Sequence, residues 1–311
     1  MTTRVLFIGD VHFKHNNLNE MTIMMEKLRN IDEHYDFSVV AGDILDSHEK
    51  IDVQLMNRAY DMIKLLKART HVYICVGNHD MINNQQFLTD AHWMNGMKEW
   101  KDVTIVDKPV TFNKFLFVPY VFPGRFVEAL ETVDDWKDAL CIFAHQEIKG
   151  CRMGAIESVK GDEWDTEWPL IISGHIHDQQ HPQDNVFYPG SVIDHGFIIF
   201  TFYADGDIEE MPISLGLVPK KTIHIKAGQT ITNNIKKGTR VVITGTLDEI
   251  AAHKKSNSSL IEKGIKVVYK LSTDNRRPVS VIKSFDKILE GLVNDIGDET
   301  LSNDYLSIRS H

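Results

Sequence analysis

Three short apolar segments near the start of the chain each end at a glycine that is followed by polar side chains. They read VLFIGDVH, SVVAGDILD and YICVGNHD, and an amphipathic segment separates each from the next. A strand, a helix and another strand in this alternation form crossover units, which make the strands parallel. The polar residues then gather at the carboxyl ends of the strands, where open α/β sheets bind ligands. Glycine at each turn allows a sharp bend and a close backbone approach.

Hydrophobic periodicity predicts further elements in the first two thirds of the chain. We expect strands at Arg4–Ile8, Phe37–Val40, His71–Val76, Val103–Val106, Phe115–Val118, Leu140–Phe143, Leu170–Ser173 and Phe197–Tyr203. We expect helices at Leu18–Arg29, Val53–Leu66 and Arg125–Asp138. Residues Cys151–Trp168 have no clean period, and we expect them to form a long loop over the sheet edge.

The pattern changes after the turn-like segment Tyr203–Asp207. Beyond it we expect strands at Lys221–Ile225, Arg240–Gly245 and Ile265–Leu271, and helices at Leu247–Lys255 and Val279–Leu292. These elements make a small α+β unit, and the residues after them read as a polar tail with little to bury. The predicted domains are therefore residues 1–205, residues 206–296 and a tail at residues 297–311.

Charge is distributed unevenly along the chain. The net charge is −10, which argues against a protein coated with basic groups for non-specific nucleic-acid binding. From Gly206 onward, however, 16 Lys and Arg stand against 13 Asp and Glu, whereas 18 stand against 31 before it. An acidic body that holds cations and a basic region that approaches a polyanion would explain this asymmetry, and two ordinary solvated surfaces would explain it equally well.

Cysteine usage and hydropathy predict the compartment. No apolar run reaches the roughly 18 residues that a membrane span needs. The N-terminal sequence MTTRVLFIGD lacks the features of a secretory signal. The three cysteines are Cys75, Cys141 and Cys151, an odd and sparse set. We therefore expect reduced thiols, a cytoplasmic or nuclear-type reducing compartment and no membrane association.

Five predicted strand ends present side chains that bind metals. In order these candidate ligands are Asp10, His12, Asp43, Asn78, His145, His175 and His177. A lone aspartate after a strand is usually a turn or cap residue, and a lone His-x-His pair is more often structural. The ordered combination instead indicates a site for Mn²⁺, Fe²⁺ or Zn²⁺, because these ions accept mixed oxygen and imidazole donors without thiolate. The set exceeds the needs of one ion and suits two ions about 3.5–4 Å apart, bridged by a carboxylate and a water.

His79 is left over from this ligand set. It follows the candidate ligand Asn78 and precedes Asp80. We expect His79 to stabilise the transition state or to protonate the leaving group of a phosphoryl transfer. We expect Asp80 to orient the His79 ring.

The motif set resembles that of the calcineurin-type metallophosphoesterases, which carry D-x-H, G-D-x-x-D, G-N-H-D, a later H and G-H-x-H in this order. The resemblance implies an α/β fold with a four-layer α/β/β/α core. It implies one metal held by Asp10, His12, Asp43 and His177, and a second held by Asp43, Asn78, His145 and His175. Asp43 would bridge the two ions, and a hydroxide between them would attack phosphorus. His79 takes the place of the catalytic histidine.

Within that superfamily the chain is similar to the SbcD-like DNA-repair nucleases. The similarity lies in GDILD before a long helix, in VGNHDM, in AHQ around His145 and in YPGS at Tyr188–Ser191. The small α+β unit stands where those nucleases carry a DNA-capping domain. This resemblance implies a manganese-dependent nuclease with DNA as substrate and a homodimer. An SbcC-type ATPase partner stays open, because the chain ends soon after the α+β unit. The segment Asn83–Trp100 also resembles phosphoesterases of large DNA viruses.

Three functions therefore stand side by side. A DNA nuclease would use the basic residues Lys220, Lys221, Lys226, Lys236, Lys237 and Arg240 to contact phosphates. A phosphatase or phosphodiesterase for a nucleotide or other small phosphoester would have the same metal centre, and Trp93, Trp164 or Trp168 could stack a base. A binding scaffold could keep the fold without the chemistry, although the intact ligand set argues against it. His15 and His48 could line the cleft or be surface or capping residues, and Asp194 and His195 could close over the site. We expect Asp46 to support the ligands.

Overall fold

The structure is a computed structural model that describes residues 2–48, 50–154, 156–217, 222–229, 240–256 and 266–271. Internal packing divides the chain into two units, Met1–Pro219 and Lys220–His311. No helix among these described ranges is long and apolar enough to cross a membrane.

The first unit alternates strands and helices over its first half. Its strands are β1 (Thr3–Ile8), β2 (Phe37–Val40), β3 (His71–Cys75), β4 (Val103–Val106), β5 (Val110–Phe112), β6 (Phe115–Val118), β7 (Cys141–His145), β8 (Arg152–Met153), β9 (Ile156–Glu157), β10 (Leu170–Gly174), β11 (Gln180–Gln183), β12 (Val186–Tyr188), β13 (Phe197–Phe202) and β14 (Ile208–Ile213). Its helices are α1 (Leu18–Arg29), α2 (Val53–Lys67), α3 (Phe126–Leu130) and α4 (Val192–His195).

These strands form two six-stranded mixed sheets. The first sheet has the order β14-β13-β1-β2-β3-β4, and the second has the order β11-β12-β10-β7-β6-β5. Strands β1 to β4 are parallel to one another, as are β6, β7, β10 and β12. The strands that precede the predicted ligands therefore all lie in the parallel parts of the sheets, so their carboxyl ends point to one edge of each sheet.

Side-chain alternation along the strands builds the layers between and outside the sheets. In β1, Val5 and Phe7 join an aromatic-rich core between the two sheets, whereas Leu6 and Ile8 pack in the core under α1 and α2. The outer face of the second sheet packs against α3 and nearby aromatic residues such as Trp164. The strands carry almost uninterrupted apolar sequence because both of their faces are buried. The order of layers is α/β/β/α, and the predicted fold class is confirmed.

The predicted helix at Arg125–Asp138 is wrong in its length. Helix α3 covers Phe126–Leu130, and only a 3-10 turn at Trp136–Asp138 follows it. Asp135 adopts a left-handed conformation with a φ of 53°, which ends helical geometry between the two pieces. The start of α3 is held by Asp162, whose Oδ1 accepts hydrogen bonds from the backbone N–H groups of Gly124 and Phe126.

The segment predicted as a long loop, Cys151–Trp168, covers this face of the second sheet. It contains the short antiparallel pair β8 and β9. Trp164 is buried, and its Nε1 donates to the carbonyl of Pro169. The rings of Trp136, Trp164 and Trp168 pack against one another with centroids 4.8 to 5.7 Å apart. Two of the tryptophans considered for base stacking therefore belong to the packing of this layer.

The turn-like segment Tyr203–Asp207 lies within the first unit. It connects β13 to β14, which pair in antiparallel register from Phe202↔Ile208 to Phe197↔Ile213. The predicted boundary between residues 205 and 206 thus falls inside a hairpin, and the division between the units comes after Pro219.

The second unit contains a small parallel sheet. Its elements are β15 (Thr222–Lys226), β16 (Arg240–Gly245), α5 (Leu247–Ser256) and β17 (Lys266–Leu271). The three strands pair in the order β15-β16-β17, and α5 makes the crossover between the last two. The predicted strands and first helix coincide with these elements within one or two residues. The predicted helix Val279–Leu292 and the tail at residues 297–311 lie outside the described residues.

Truncating the Phe143 side chain tests the packing between the two sheets. Phe143 is fully buried there and stacks on Phe117 at a centroid distance of 5.7 Å. We expect Phe143→Ala to lower the free energy of unfolding by about 3–5 kcal/mol, because it opens a cavity that the sheets cannot close. Urea unfolding measures this loss. Phe122→Ala is the control, since Phe122 is 48% exposed, and an equal loss in both variants would contradict the assigned layer.

Candidate metal centre

All seven predicted metal ligands lie at or shortly after the ends of strands of the two sheets, and they gather at one place. Asp10, Asp43 and Asn78 come just after β1, β2 and β3, His145 ends β7, and His175 follows β10. Most of this cluster is buried, but His175 is half-buried and His177 is exposed. The centre is therefore open to solvent on the side of β10, where a substrate can enter.

One group of ligands forms around His12. The Nε2 atoms of His12 and His177 lie 3.1 Å apart, and His12 Nε2 is 3.5 Å from Asp43 Oδ2. Asp10 joins this group, since its ligand oxygen lies within 4.8 Å of the His12 and His177 nitrogens. Asp10 Oδ1 accepts a hydrogen bond from the backbone N–H of His175 at 2.9 Å. These residues are the ones assigned to the first metal.

A second group forms around His145. Its Nε2 lies 3.4 Å from Asp43 Oδ2 and 3.0 Å from Asn78 Oδ1. Asn78 Oδ1 also lies 3.0 Å from His175 Nδ1. The oxygen Asp43 Oδ2 thus stands between the His12 and His145 groups, in the position of a bridging ligand.

These side chains fit divalent cations. Asp10 Oδ2 is buried and has no hydrogen-bond partner among the described residues, which is costly for a carboxylate oxygen unless a cation or water meets it. Facing imidazole nitrogens are also unfavourable at close range unless a proton or a metal lies between them. The donors are carboxylate, amide and imidazole with no thiolate, a set suited to Mn²⁺, Fe²⁺ or Zn²⁺.

The tautomer of His145 is set by the backbone. Its Nδ1 donates to the carbonyl oxygen of Ala41 at 2.6 Å. In the neutral ring the lone pair is then on Nε2, which faces Asp43 and Asn78. A hydrogen bond of this kind orients a metal-binding histidine and raises its basicity.

The backbone around the centre is strained, as is common at functional sites. Three of the ligands have positive φ angles although they are not glycine: His12 at 46°, Asp43 at 50° and His175 at 80°. Gly42 has a φ of 98°, and a Cβ atom there would lie 2.6 Å from His145 Nδ1. The glycine before Asp43 is therefore required by close packing as well as by its turn.

Electrostatics divide the histidines of the metal-free centre into two kinds. Burial, with the nearby charge of His145, lowers the pKa of His175 to about 3, so His175 is neutral at neutral pH. Burial opposes the charged form of His145 as well, but the Asp43 carboxylate outweighs it and raises the pKa of His145 to about 9. The same attraction holds the pKa of Asp43 far below its usual range despite burial. His145 and Asp43 form an ion pair that a bound cation would replace.

His79 lies at the rim of the centre. Its side chain is 30% exposed, and its Nε2 is 4.0 Å from Asp43 Oδ2. Its backbone N–H donates to Asp43 Oδ1 at 2.8 Å. Burial lowers the pKa of His79. The ring is close to the shared carboxylate and accessible from solvent, which is the placement that proton transfer to a substrate requires.

The predicted role of Asp80 in orienting His79 is wrong. The buried Asp80 carboxylate accepts hydrogen bonds from the backbone N–H groups of Ile44 and Gly77 and from Trp93 Nε1, at 2.9 to 3.2 Å. The Nδ1 of His79 instead contacts the backbone carbonyl of Asp46 at 3.0 Å. Asp80 therefore connects the turns after β2 and β3. Its hydrogen bond from Trp93 Nε1 also gives Trp93, which was considered for base stacking, a structural role.

Two further charged residues lie near the centre. Lys14 was not predicted from the sequence, and Asp46 was predicted only to support the ligands. Asp46 Oδ1 lies 3.1 Å from His12 Nδ1 and accepts a hydrogen bond from Lys14 Nζ at 2.9 Å. The Asp46 side chain thus lies against the His12 ring, and its backbone carbonyl accepts a hydrogen bond from His79. Lys14 gives no signal in the sequence beyond its position two residues after His12, because its contact is made only in the fold.

The histidines and acids considered for the cleft have separate contacts. His15 pairs with Asp52 at 3.0 Å, and Asp52 caps the start of α2. Asp194 accepts a hydrogen bond from Ser191 Oγ at the start of the short helix α4. His48, in contrast, stacks on His79 with ring centroids 4.4 Å apart. Of these residues, His48 is thus the one in contact with the predicted catalytic ring.

Comparison with known proteins places the chain among phosphoesterases. A protein of Invertebrate iridescent virus 3 named as phosphoesterase 078R is 42% identical, over 96% of this chain and 94% of the viral protein. One of Invertebrate iridescent virus 6 named as phosphoesterase 244L is 43% identical, over 81% of this chain and 98% of the viral protein. The predicted likeness to viral phosphoesterases is confirmed.

A solved structure of purple acid phosphatase PPD1 from yellow lupin seeds aligns with a TM-score of 0.44 at 13% identity, over 68% of this chain and 52% of that chain. The family model described as calcineurin-like phosphoesterase matches residues 3–179. That match covers more than half of the chain and contains every predicted ligand. The chain therefore belongs to the calcineurin-like phosphoesterase family.

Proposed function

We propose that the protein is a phosphodiesterase that uses two divalent metal ions and acts on DNA. The observation that carries the proposal is Asp43 Oδ2, which lies 3.5 Å from His12 Nε2 and 3.4 Å from His145 Nε2. One carboxylate between two ligand groups, with His79 at the rim, is the arrangement that two-metal hydrolysis of a phosphoester needs. Asp10, His12, Asp43 and His177 would hold one ion, and Asp43, Asn78, His145 and His175 the other.

When bound, the two ions would supply Lewis acidity that neutralises phosphoryl oxygens and activates a water. The residues of the chain orient the general acid and supply the proton. The backbone carbonyl of Asp46 holds the Nδ1–H of His79 and so leaves Nε2 toward the substrate. In its doubly protonated form His79 gives the Nε2 proton to the leaving oxygen. The lowered pKa makes this form a stronger acid and also less abundant at neutral pH. An alkoxide leaving group, such as a nucleoside oxygen, benefits most from this proton.

Support for DNA comes from the resemblance to the SbcD-like nucleases and from the relatively basic second unit. Of the proposed phosphate contacts, Lys226 is exposed on β15. The side chains of Lys220, Lys221, Lys236, Lys237 and Arg240 lie outside the described residues. Manganese is the metal we propose first, followed by Fe²⁺ and Zn²⁺. The homodimer and the reducing compartment stay predictions, and an SbcC-type ATPase partner stays open.

A small phosphoester is the second candidate substrate. The acidic balance of the residues before Gly206, 18 basic against 31 acidic, favours it, because that surface repels an extended polyanion. The metal centre would be the same, and only the walls around it would select the substrate.

A substrate panel separates these candidates. We expect the protein loaded with Mn²⁺ to cleave single- or double-stranded DNA ends and to be slower on nucleotides and on bis-p-nitrophenyl phosphate. Gel and colorimetric assays at matched enzyme concentration measure the rates. Fast turnover of the small esters without DNA cleavage would favour the second candidate. No turnover of any ester, with both metals present, would contradict the phosphodiesterase proposal.

Substituting His79 tests its role apart from metal binding. We expect His79→Asn to keep the fold and the metal content and to lower kcat by about 10²–10⁴-fold, the usual contribution of a general acid. Asp43→Ala, in contrast, should lose both metals and the activity. Metal analysis and steady-state kinetics make the comparison.

His34→Asn is the matched control for His79→Asn, because His34 is exposed before β2, at the opposite end of that strand from the centre. Its kcat and metal content should equal those of the unchanged protein. If His79→Asn instead empties the centre of metal, the assigned role is wrong.

The raised pKa of His145 predicts a pH dependence of metal binding. In the metal-free protein this ring is protonated below about 9, and a metal needs its neutral form. Metal affinity should therefore rise about tenfold per pH unit from neutral pH up to pH about 9. The raised pKa of His145 also contributes to the free energy of unfolding of the metal-free protein. This contribution is complete below pH 6.5 and is lost as the pH rises through about 9. Calorimetric metal titrations and urea unfolding measure both effects, and a flat affinity would refute the assignment.

A further inference from the structure

A cavity of about 940 Å³ lies beside His79 and is open to solvent. Its volume is within the roughly 300–1,000 Å³ of small-molecule sites. Two loops build its walls, one after β2 and one after β3. The lining residues are Asp46, Ser47, His48, Lys50, Ile82, Asn83, Asn84 and Gln85. None of them belongs to the predicted ligand set, so the cavity adds a second site next to the metal centre.

The cavity adjoins the ring that is proposed to donate the proton. His48, which lines it, stacks on His79 with an interplanar angle of 21° and a centroid distance of 4.4 Å. Asp46, on the same wall, holds His79 Nδ1 through its carbonyl. The cavity walls thus touch the face and the Nδ1 edge of the ring whose Nε2 is proposed to give the proton, and the cavity is open space next to that ring.

The walls combine amide groups with flat and apolar surfaces. Asn84 and Gln85 are exposed, and their side-chain amides offer both donors and acceptors. Ile82 is 55% exposed and supplies an apolar surface. His48 supplies a ring, and its Nδ1 is buried without a hydrogen-bond partner among the described residues. Asp46, one of the two charges on the wall, is paired with Lys14.

This chemistry matches a nucleoside better than an anion or a lipid. Base edges carry donors and acceptors side by side, and Asn and Gln amides pair with them. Base faces stack on rings and pack against apolar groups in a way that tolerates any base. An anionic leaving group would have only Lys50 as an unshared cation on the described walls of the cavity.

We propose that this cavity binds the nucleoside on the leaving side of the scissile phosphodiester. The inference rests on the proposed function and names the part of the substrate that the site reads. In the reaction the oxygen of a water forms a new bond to phosphorus, and the bond from phosphorus to the nucleoside oxygen breaks. His79 gives its proton to that oxygen, and the proton lost by the water balances it.

Dinucleoside monophosphates that lack one base test the proposal. Product analysis identifies which nucleoside leaves. Removing the base from the leaving nucleoside should lower kcat/KM about tenfold, whereas removing it from the retained nucleoside should have a much smaller effect. Equal effects of the two removals, or none, would overturn the proposal.

Variants connect that preference to the cavity. The double variant Asn84→Ala with Gln85→Ala should reduce the preference for a base on the leaving nucleoside about tenfold. His48→Phe should retain more of it, since a ring can still stack on His79. Asn19→Ala is the matched control, because Asn19 is an exposed amide on α1, away from the cavity walls. An unchanged preference in the double variant would overturn the assignment.

Equilibrium binding distinguishes failure of this inference from failure of the proposed function. Saturation-transfer NMR on the His79→Asn protein measures binding of the four nucleosides without turnover. If nucleosides bind and the double variant weakens this binding, but the unchanged protein hydrolyses no diester, the site is supported and the phosphodiesterase proposal fails. Diester hydrolysis without any such binding and without a base preference would leave the phosphodiesterase and remove the site.

Discussion

The buried carboxylate of Asp43 is the constraint on which the centre depends. A charge removed from water is strongly unfavourable unless it is paired and hydrogen-bonded. Asp43 meets that requirement with the backbone N–H of His79 on one oxygen and with the rings of His12 and His145 near the other. Its three partners follow β1 and β3 of the first sheet and end β7 of the second, so one carboxylate contacts residues from the edges of both sheets.

Close approach of the backbone is the consequence of that requirement. Gly42 lets the turn after β2 pass against His145, and the left-handed conformation of Asp43 itself turns its side chain into the gap. Asp80 then connects this turn to the one after β3 through hydrogen bonds to Ile44 and Gly77. Strain at the ligands is balanced by packing of the sheets beneath them, as expected where a site is held ready for a ligand.

The region beside His79 has a different character from the metal centre. Most of the predicted ligands are buried where strands end, whereas the walls of the cavity bear exposed amides and an exposed isoleucine. Asp46 links the two regions, since its side chain lies 3.1 Å from His12 Nδ1 and its carbonyl accepts a hydrogen bond from His79. In the proposed function, chemistry and substrate selection are separated along this short stretch of chain, because the predicted metal ligands would confer reactivity and the cavity walls would confer preference.

The layered fold came from the family resemblance, and the strands β5, β11, β12 and β14 were not predicted. The sequence by itself determined the strands that lead to the predicted ligands, the two long helices and the place of the candidate ligands at the strand ends. These depend on local periodicity and on the rule that parallel strands share an edge, so residues such as Asp10 and Asn78 could be assigned without coordinates. Only the tertiary structure decided the role of Asp80, the short length of α3, the hairpin after β13 and the cavity beside His79. The role of Asp80, the start of α3 and the cavity depend on contacts between residues distant in the chain, such as Ile44 with Asp80 or Phe126 with Asp162. No local pattern encodes such contacts, because they form only when separate loops meet.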